Sequence, residues 1–157
     1  MKKIFLVVIF SIFIYGCAST KSKITKAYIP TEDGQLAIHI EKSLSVFIPP
    51  YQYQLLESQI RNGLAHNGLL ALNEDKSQHS VTIKIDSFRM RDDSARLTVG
   101  IMAGCDNIKS TVVVMDKVTN EELGKSQISI KECAAWGVAS QVITKYTDGV
   151  IAYLSNK

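Results

Sequence analysis

Hydrophobic residues recur along this chain with two different periods, and the change of period marks out its elements. From Leu36 they fall on alternate positions, Leu36, Ile38 and Ile40, then Leu44, Val46 and Ile48. Period two predicts strand, either one or two with a bend at Glu41-Lys42-Ser43. Pro49-Pro50 ends the run and can open a helix, because proline fits the first helical turn. Tyr53, Leu56, Ile60 and Leu64 then recur at helical spacing up to Asn67-Gly68, which predicts a helix over about residues 51 to 66.

Alternation returns at Val81, Ile83 and Ile85, and its phase slips to Phe88 and Met90, so a bulge is expected near Ser87. Past the turn Asp92-Asp93-Ser94, Leu97, Val99, Ile101 and Ala103 form another alternating face. "IKSTVVVMD" and "LGKSQISIK" follow, joined by the polar turn "KVTNEE"; with the strand ending near Gly104 they make a three-strand meander. A second helix carries Ala139, Val142, Ile143, Tyr146, Val150 and Tyr153 on one face, with Gly149 as a point of close packing. The fold class expected is α+β: an antiparallel sheet with a three-strand meander and two helices packed on one face.

The amino end changes the picture of where this domain lives. Lys2 and Lys3 precede an apolar run from Ile4 to Ile14, shorter than the roughly 20 residues a membrane span needs, and Gly16-Cys17 ends it. This reads as an export signal over residues 1–16 whose end resembles the lipobox of bacterial lipoproteins, with Cys17 as the acylated residue. Ala18 after the cysteine, where the inner-membrane sorting signal has Asp, implies by the same resemblance an outer-membrane location with the domain on the periplasmic face. Residues 17–34, rich in Ser, Thr and Lys and containing Pro30, are read as the lipidated cysteine and a flexible tether with a reach of at most about 60 Å. Residues 35–157 then form a single periplasmic domain, and the partners expected are the membrane, through the lipid, and an envelope protein.

Charge adds an exclusion. Removing the signal takes two of the 18 basic side chains and none of the 15 acidic ones, so the mature net charge falls from +3 to +1. Nothing in that balance supports nucleic-acid binding.

Candidate chemistry is sparse. His39, His66 and His79 lack the spacing of a metal-binding or zinc-protease motif, so no metal or other cofactor is expected. No Gly-x-Ser-x-Gly elbow marks a nucleophile, and no catalytic residue is assigned. Trp136, at the start of the last helix, and the Tyr51/Tyr53 pair, at the start of the first, read as aromatics covering the core. Gly100-x-x-x-Gly104 lies between Arg96 and Asp106, too short a stretch for a membrane helix, and lacks the Lys-Ser/Thr ending of a phosphate loop. Its glycines are read as a bulge, a tight turn or a close backbone approach.

That segment also carries a resemblance. Arg96-x-x-Val99-Gly100-x-x-Ala103-Gly104, an apolar strand, a "D-x-x-T-N-E-x-L" turn and a closing amphipathic helix resemble an uncharacterised family of small Gram-negative envelope lipoproteins, a domain of unknown function, over about residues 36 to 154. The resemblance implies the same sheet-plus-helices fold and supplies no catalytic residues.

Cys105 and Cys133 are expected to form a disulfide. Export places them where disulfides persist, and acylation of Cys17 leaves two thiols. Both emerge at one end of the predicted meander, on its first and third strands; these stand about 10 Å apart, so the loops must curve together. The function expected is a non-enzymatic, lipid-anchored accessory in envelope assembly, transport or secretion that acts by binding a partner. The alternative is a small-molecule or lipid-binding lipoprotein with a pocket lined by Leu56, Ile60, Val142 and Tyr146.

Overall fold

The computed structural model describes residues 19–31, 35–91, 104–133 and 139–156. Its elements are β1 (Ser19–Lys26), β2 (Leu36–Lys42), α1 (Pro50–His66), a 3-10 turn (Glu74–Lys76), β3 (His79–Arg89), β4 (Asp106–Asp116), β5 (Glu122–Glu132) and α2 (Ala139–Leu154). The five strands form one sheet in the order β1-β5-β4-β3-β2. The fold is α+β, as expected.

The sheet is mixed. β1, β5, β4 and β3 pair antiparallel, whereas β2 lies parallel to β3 from Leu36↔His79 to Lys42↔Ile85. A parallel pair needs a crossover between its strands, and α1 supplies it. Residues 44–48 form no second strand: Val46 N–H donates to the Ser43 carbonyl in a turn, and Ile48 drops into the core before α1 begins. The expected tether is corrected as well, since Ser19–Lys26 pairs with β5 as an edge strand. Its residues alternate too weakly in hydrophobicity to announce a strand, and main-chain hydrogen bonds to a distant partner supply what the side chains do not.

The meander consists of β3, β4 and β5. The expected strand from Leu97 to Ala103 lies outside the described residues; β4 pairs with β3 on one side and with β5 on the other. The slip at Ser87 is present as a register shift between Ile85 and Ser87. Asp116 shapes the β4–β5 turn by accepting hydrogen bonds from the Val118 and Thr119 amides at 2.8 and 2.9 Å, and Asn120 takes a φ of 56°. Those donors hold the Asp116 carboxyl below its usual range.

One face of the sheet and both helices share the core. Val81, Ile83, Ile85, Ile108, Val112, Val114, Ile128 and Ile130 project toward Leu56, Ile60 and Leu64 of α1 and Val142, Ile143, Tyr146 and Val150 of α2. Each fully buried aliphatic side chain contributes about 1.5–3 kcal/mol relative to exposure. α1 opens with proline in its first turn and ends where Gly68 takes a φ of +69°. Gly149 is a close approach, as its sequence setting suggested: a Cβ there would stand 2.8 Å from Thr20 Cγ2 on β1.

Gly104 has a φ of +88°, which a side chain rarely tolerates. A Cβ would also meet the Arg89 guanidinium at 2.9 Å, but that flexible group can move, so the backbone sets the cost. Gly104→Val is therefore expected to lower stability by about 1–3 kcal/mol, read from a urea melt. An unchanged midpoint would show that the backbone relaxes there freely. Gly100, with Arg96, Val99 and Ala103, lies outside the described residues.

Candidate functional site: the disulfide end and the open sheet face

β4 begins with Asp106 opposite Glu132, the last residue of β5. Cys105 and Cys133 extend that pair by one position, and their disulfide joins Cα atoms 4.2 Å apart. The pairing is the one expected, but by a different route. The cysteines belong to adjacent strands, so no loop has to curve across an intervening one.

Beside the disulfide, Arg91 and Asp106 are almost wholly buried and face one another. Arg91 donates its backbone N–H to Asp106 Oδ1 at 2.7 Å and its Nη2 to Oδ2 at 2.9 Å. On the α2 side Lys145 Nζ reaches Glu132 Oε2 at 3.2 Å. These charges hold loop, sheet and helix together and are engaged with one another, which is the arrangement of a structural staple.

The predicted site residues do not converge. Cys17 and Trp136 lie outside the described residues. His39 is exposed on β2 and His66 is exposed at the end of α1. His79, at the start of β3, is buried, with Tyr28 Oη 3.2 Å from its Nδ1. Among the described residues no group of three His, Cys, Asp or Glu side chains could hold a metal ion. Leu56, Ile60, Val142 and Tyr146, the lining expected of a pocket, are packed into the core, and Tyr146 Oη donates to Ser110 Oγ at 2.6 Å. Tyr53 is partly buried and donates to the Ile40 carbonyl, whereas Tyr51, expected to cover the core, is 74% exposed. Facing outward from the first turn of α1, it has no core surface within its reach.

Burial pushes up the pKa of Tyr28 and Tyr146, and burial with the nearby Glu122 pushes Tyr153 up to about 12. For such groups the neutral form is favoured in the folded state, so their contribution is complete below the unfolded value near 10 and is lost as pH rises through the folded one. The melting temperature is expected to fall between about pH 10 and 12. In a Tyr153→Phe variant part of that fall should disappear; an identical alkaline profile would assign the loss to other groups.

Two open surfaces stand out among the described residues. The helix-free face of the sheet is polar on β1, β5 and β4: Lys21 lies beside Ser129 and Ser129 beside Lys109, with Lys23 beside Gln127 in the next row and Lys131 beyond. A shallow depression of about 590 Å³ lies over Lys21, Lys23, Lys109, Gln127 and Ser129. The second surface is a smaller, more apolar groove of about 260 Å³ between β1 and α2, bordered by Ile24, Tyr28, Ala152 and Tyr153. Neither brings together an acid, a base and a nucleophile. Periodicity foretold the strands of the open face but not this surface, because its β1 third was read as tether.

The sequence pattern of a family described as a domain of unknown function, DUF4410, matches residues 50–135, more than half of the chain. The chain belongs to the DUF4410 family. The matched stretch runs from the start of α1 to just past Cys133, so it contains β3, β4, β5 and both bonded cysteines. No curated protein matches this DUF4410 chain by sequence. Among solved structures it is similar to the PelC dodecamer from Paraburkholderia phytofirmans, at 12% identity over 88% of this chain and 98% of that one, with a TM-score of 0.59. A single-substitution form of that dodecamer gives the same identity and coverage with a TM-score of 0.57. Protein XCC0632 from Xanthomonas campestris is more remote, at 9% identity over 85% and 89% of the two chains with a TM-score of 0.47. At these identities the likeness to PelC is one of fold. No helix among the described residues of the DUF4410 chain is long and apolar enough to cross a membrane.

Proposed function

We propose that this DUF4410 protein is a non-catalytic envelope lipoprotein, anchored through Cys17 to the outer membrane, whose periplasmic domain works by binding other envelope components. The observation that carries the reading is the contrast between its engaged and its open surfaces. The charges beside the disulfide are locked in structural pairs, while among the described residues a broad polar sheet face carries no helix. Support comes also from the likeness in fold to PelC, which is dodecameric. The first partner to test is therefore a second copy of this chain, and the next an envelope protein in assembly, transport or secretion.

Cross-linking of intact cells followed by purification from solubilised envelopes tests the reading. Specific cross-links through β1, β4 or β5, to another copy or to a single envelope protein, are the result expected. Monomeric protein recovered without any cross-linked species would overturn it. For the anchor, Cys17→Ser is expected to give unprocessed precursor or a soluble product. Mature, detergent-extractable protein from that variant would remove the anchor from the proposal.

A further inference from the structure

The register of the sheet collects several separate features at one end of the domain. Ser19, Lys131, Asn107 and Arg89 form a row across four strands there, with the Asp106–Glu132 pair and then the Cys105–Cys133 disulfide beyond it. Because β2 runs parallel to β3, its connection to α1 emerges toward the same end. That connection and the first turn of α1 expose three large apolar side chains that the core leaves out: Leu44, fully exposed, Phe47, 77% exposed, and Tyr51. Exposed lysines flank this end on the open face. Lys131 stands in that row, Lys21 and Lys109 stand two rows below, and none of the three has a carboxylate partner among the described residues. Among the described residues, the acidic pair next to that row, Asp106 and Glu132, is buried and engaged with Arg91 and Lys145. Exposed apolar tips and lysines without carboxylate partners, gathered at one end of a domain, are the composition of a surface that sits at a lipid–water boundary.

The position of Cys17 says which surface that is. Only Ala18 separates it from Ser19, two residue steps that span at most about 7 Å. A lipid on Cys17 would thus hold this end, and not the opposite one, against the bilayer.

We propose that the disulfide end seats on an anionic phospholipid surface, with Leu44 and Phe47 entering the headgroup region and Lys21, Lys109 and Lys131 held against lipid phosphates. The proposal rests on the reading of Cys17 as lipidated. The opposite end offers a built-in control: Val118 is also exposed, at 83%, but lies in the β4–β5 turn beside Asp116 and Glu121.

The test uses the full chain, purified from membranes and reconstituted into vesicles of phosphatidylcholine, alone or mixed with phosphatidylglycerol. Phe47→Trp and Val118→Trp are compared in the native Trp136 background, with acyl-brominated lipid as quencher. Side chains 5–10 Å into the boundary come within reach of brominated acyl chains, so the emission added by Phe47→Trp is expected to fall roughly twofold while that added by Val118→Trp is unchanged. Phosphatidylglycerol should deepen the quenching, and Lys109→Glu with Lys131→Glu should remove that dependence. Equal quenching at the two positions overturns the proposal. So does a Phe47→Trp emission already blue-shifted in detergent and insensitive to brominated lipid, which would mean that a protein surface covers it. The mass of the N-terminal peptide reports acylation separately. An acylated chain without quenching at Phe47→Trp sinks the seating alone, an unacylated chain that is still quenched supports the seating and sinks the anchor, and an unacylated, unquenched chain sinks both.

Discussion

Asp106→Ala is expected to destabilise the domain by about 3–5 kcal/mol, because it removes the carboxylate that pairs with the buried Arg91 guanidinium at 2.9 Å. The side chains of both partners are at most 3% exposed, so water cannot replace the lost carboxylate without opening the structure. Asp106 also accepts the Arg91 backbone N–H, and the loss orphans that donor too. Urea unfolding of the single variant should show a much lower midpoint with an unchanged slope. Replacing both partners by apolar residues, Arg91→Met with Asp106→Leu, is expected to cost far less than the single change, since no charge is then stranded. If single and double variants unfold at the same urea concentration, the cost belongs to packing and not to the buried charge.

Removing the disulfide is the second large effect. Cys105 and Cys133 are 28 positions apart, and on the chain-entropy model a closed loop of about 29 residues contributes about 3.6 kcal/mol by restricting the unfolded chain. Cys105→Ser with Cys133→Ser should lower the unfolding free energy by about that amount, and a reducing agent should reproduce it in the native sequence. Native-like stability under reduction would mean that the unfolded chain already holds the two segments together. The two effects meet at one place, since Asp106 directly follows Cys105. Their combination is therefore expected to be non-additive by about 0.5–3 kcal/mol, the behaviour of contacting residues.

Much of the fold was legible because its elements carry local periods. Leu56, Ile60 and Leu64 on α1, Val142, Ile143 and Tyr146 on α2, and the alternating aliphatics of β3 lie on the faces their spacing assigned. The phase slip at Ser87 was visible for the same reason, because a register shift changes which residues are apolar. The direction of β2 was not legible. Alternation marks a strand but carries no sign of which neighbour it joins or in which sense. β1 was hidden differently: Lys21 and Lys23 face outward while Thr20 and Ser22 lie along the α2 side, so neither face is clearly apolar. The disulfide partners could be read from compartment and parity; the strand expected to lead up to Cys105 lies outside the described residues, and what brings Cys105 to Cys133 is that it directly precedes β4, the neighbour of β5. Of the candidate surface, its lysines were visible as residues but not as a group, because β1, β4 and β5 meet only through the sheet.

The placement of β1 has a consequence for how the chain comes to be folded. Ser22 and Ser126, whose hydroxyls meet at 3.0 Å across the β1–β5 pair, are 104 positions apart. A chain threaded amino end first delivers β1 before anything else in the domain, and its hydrogen-bonding partner almost last. Until β5 arrives, β1 is an unpaired strand, and such long-range pairings are slow because loop closure precedes any gain. Lys21, Lys23 and Lys26 suit that waiting period, since charged side chains on an open edge discourage pairing with the wrong strand. Completion of the sheet thus waits for the synthesis of β5. A truncation before Glu122 would deprive β1 of its partner strand however well the helix and strands before it are made.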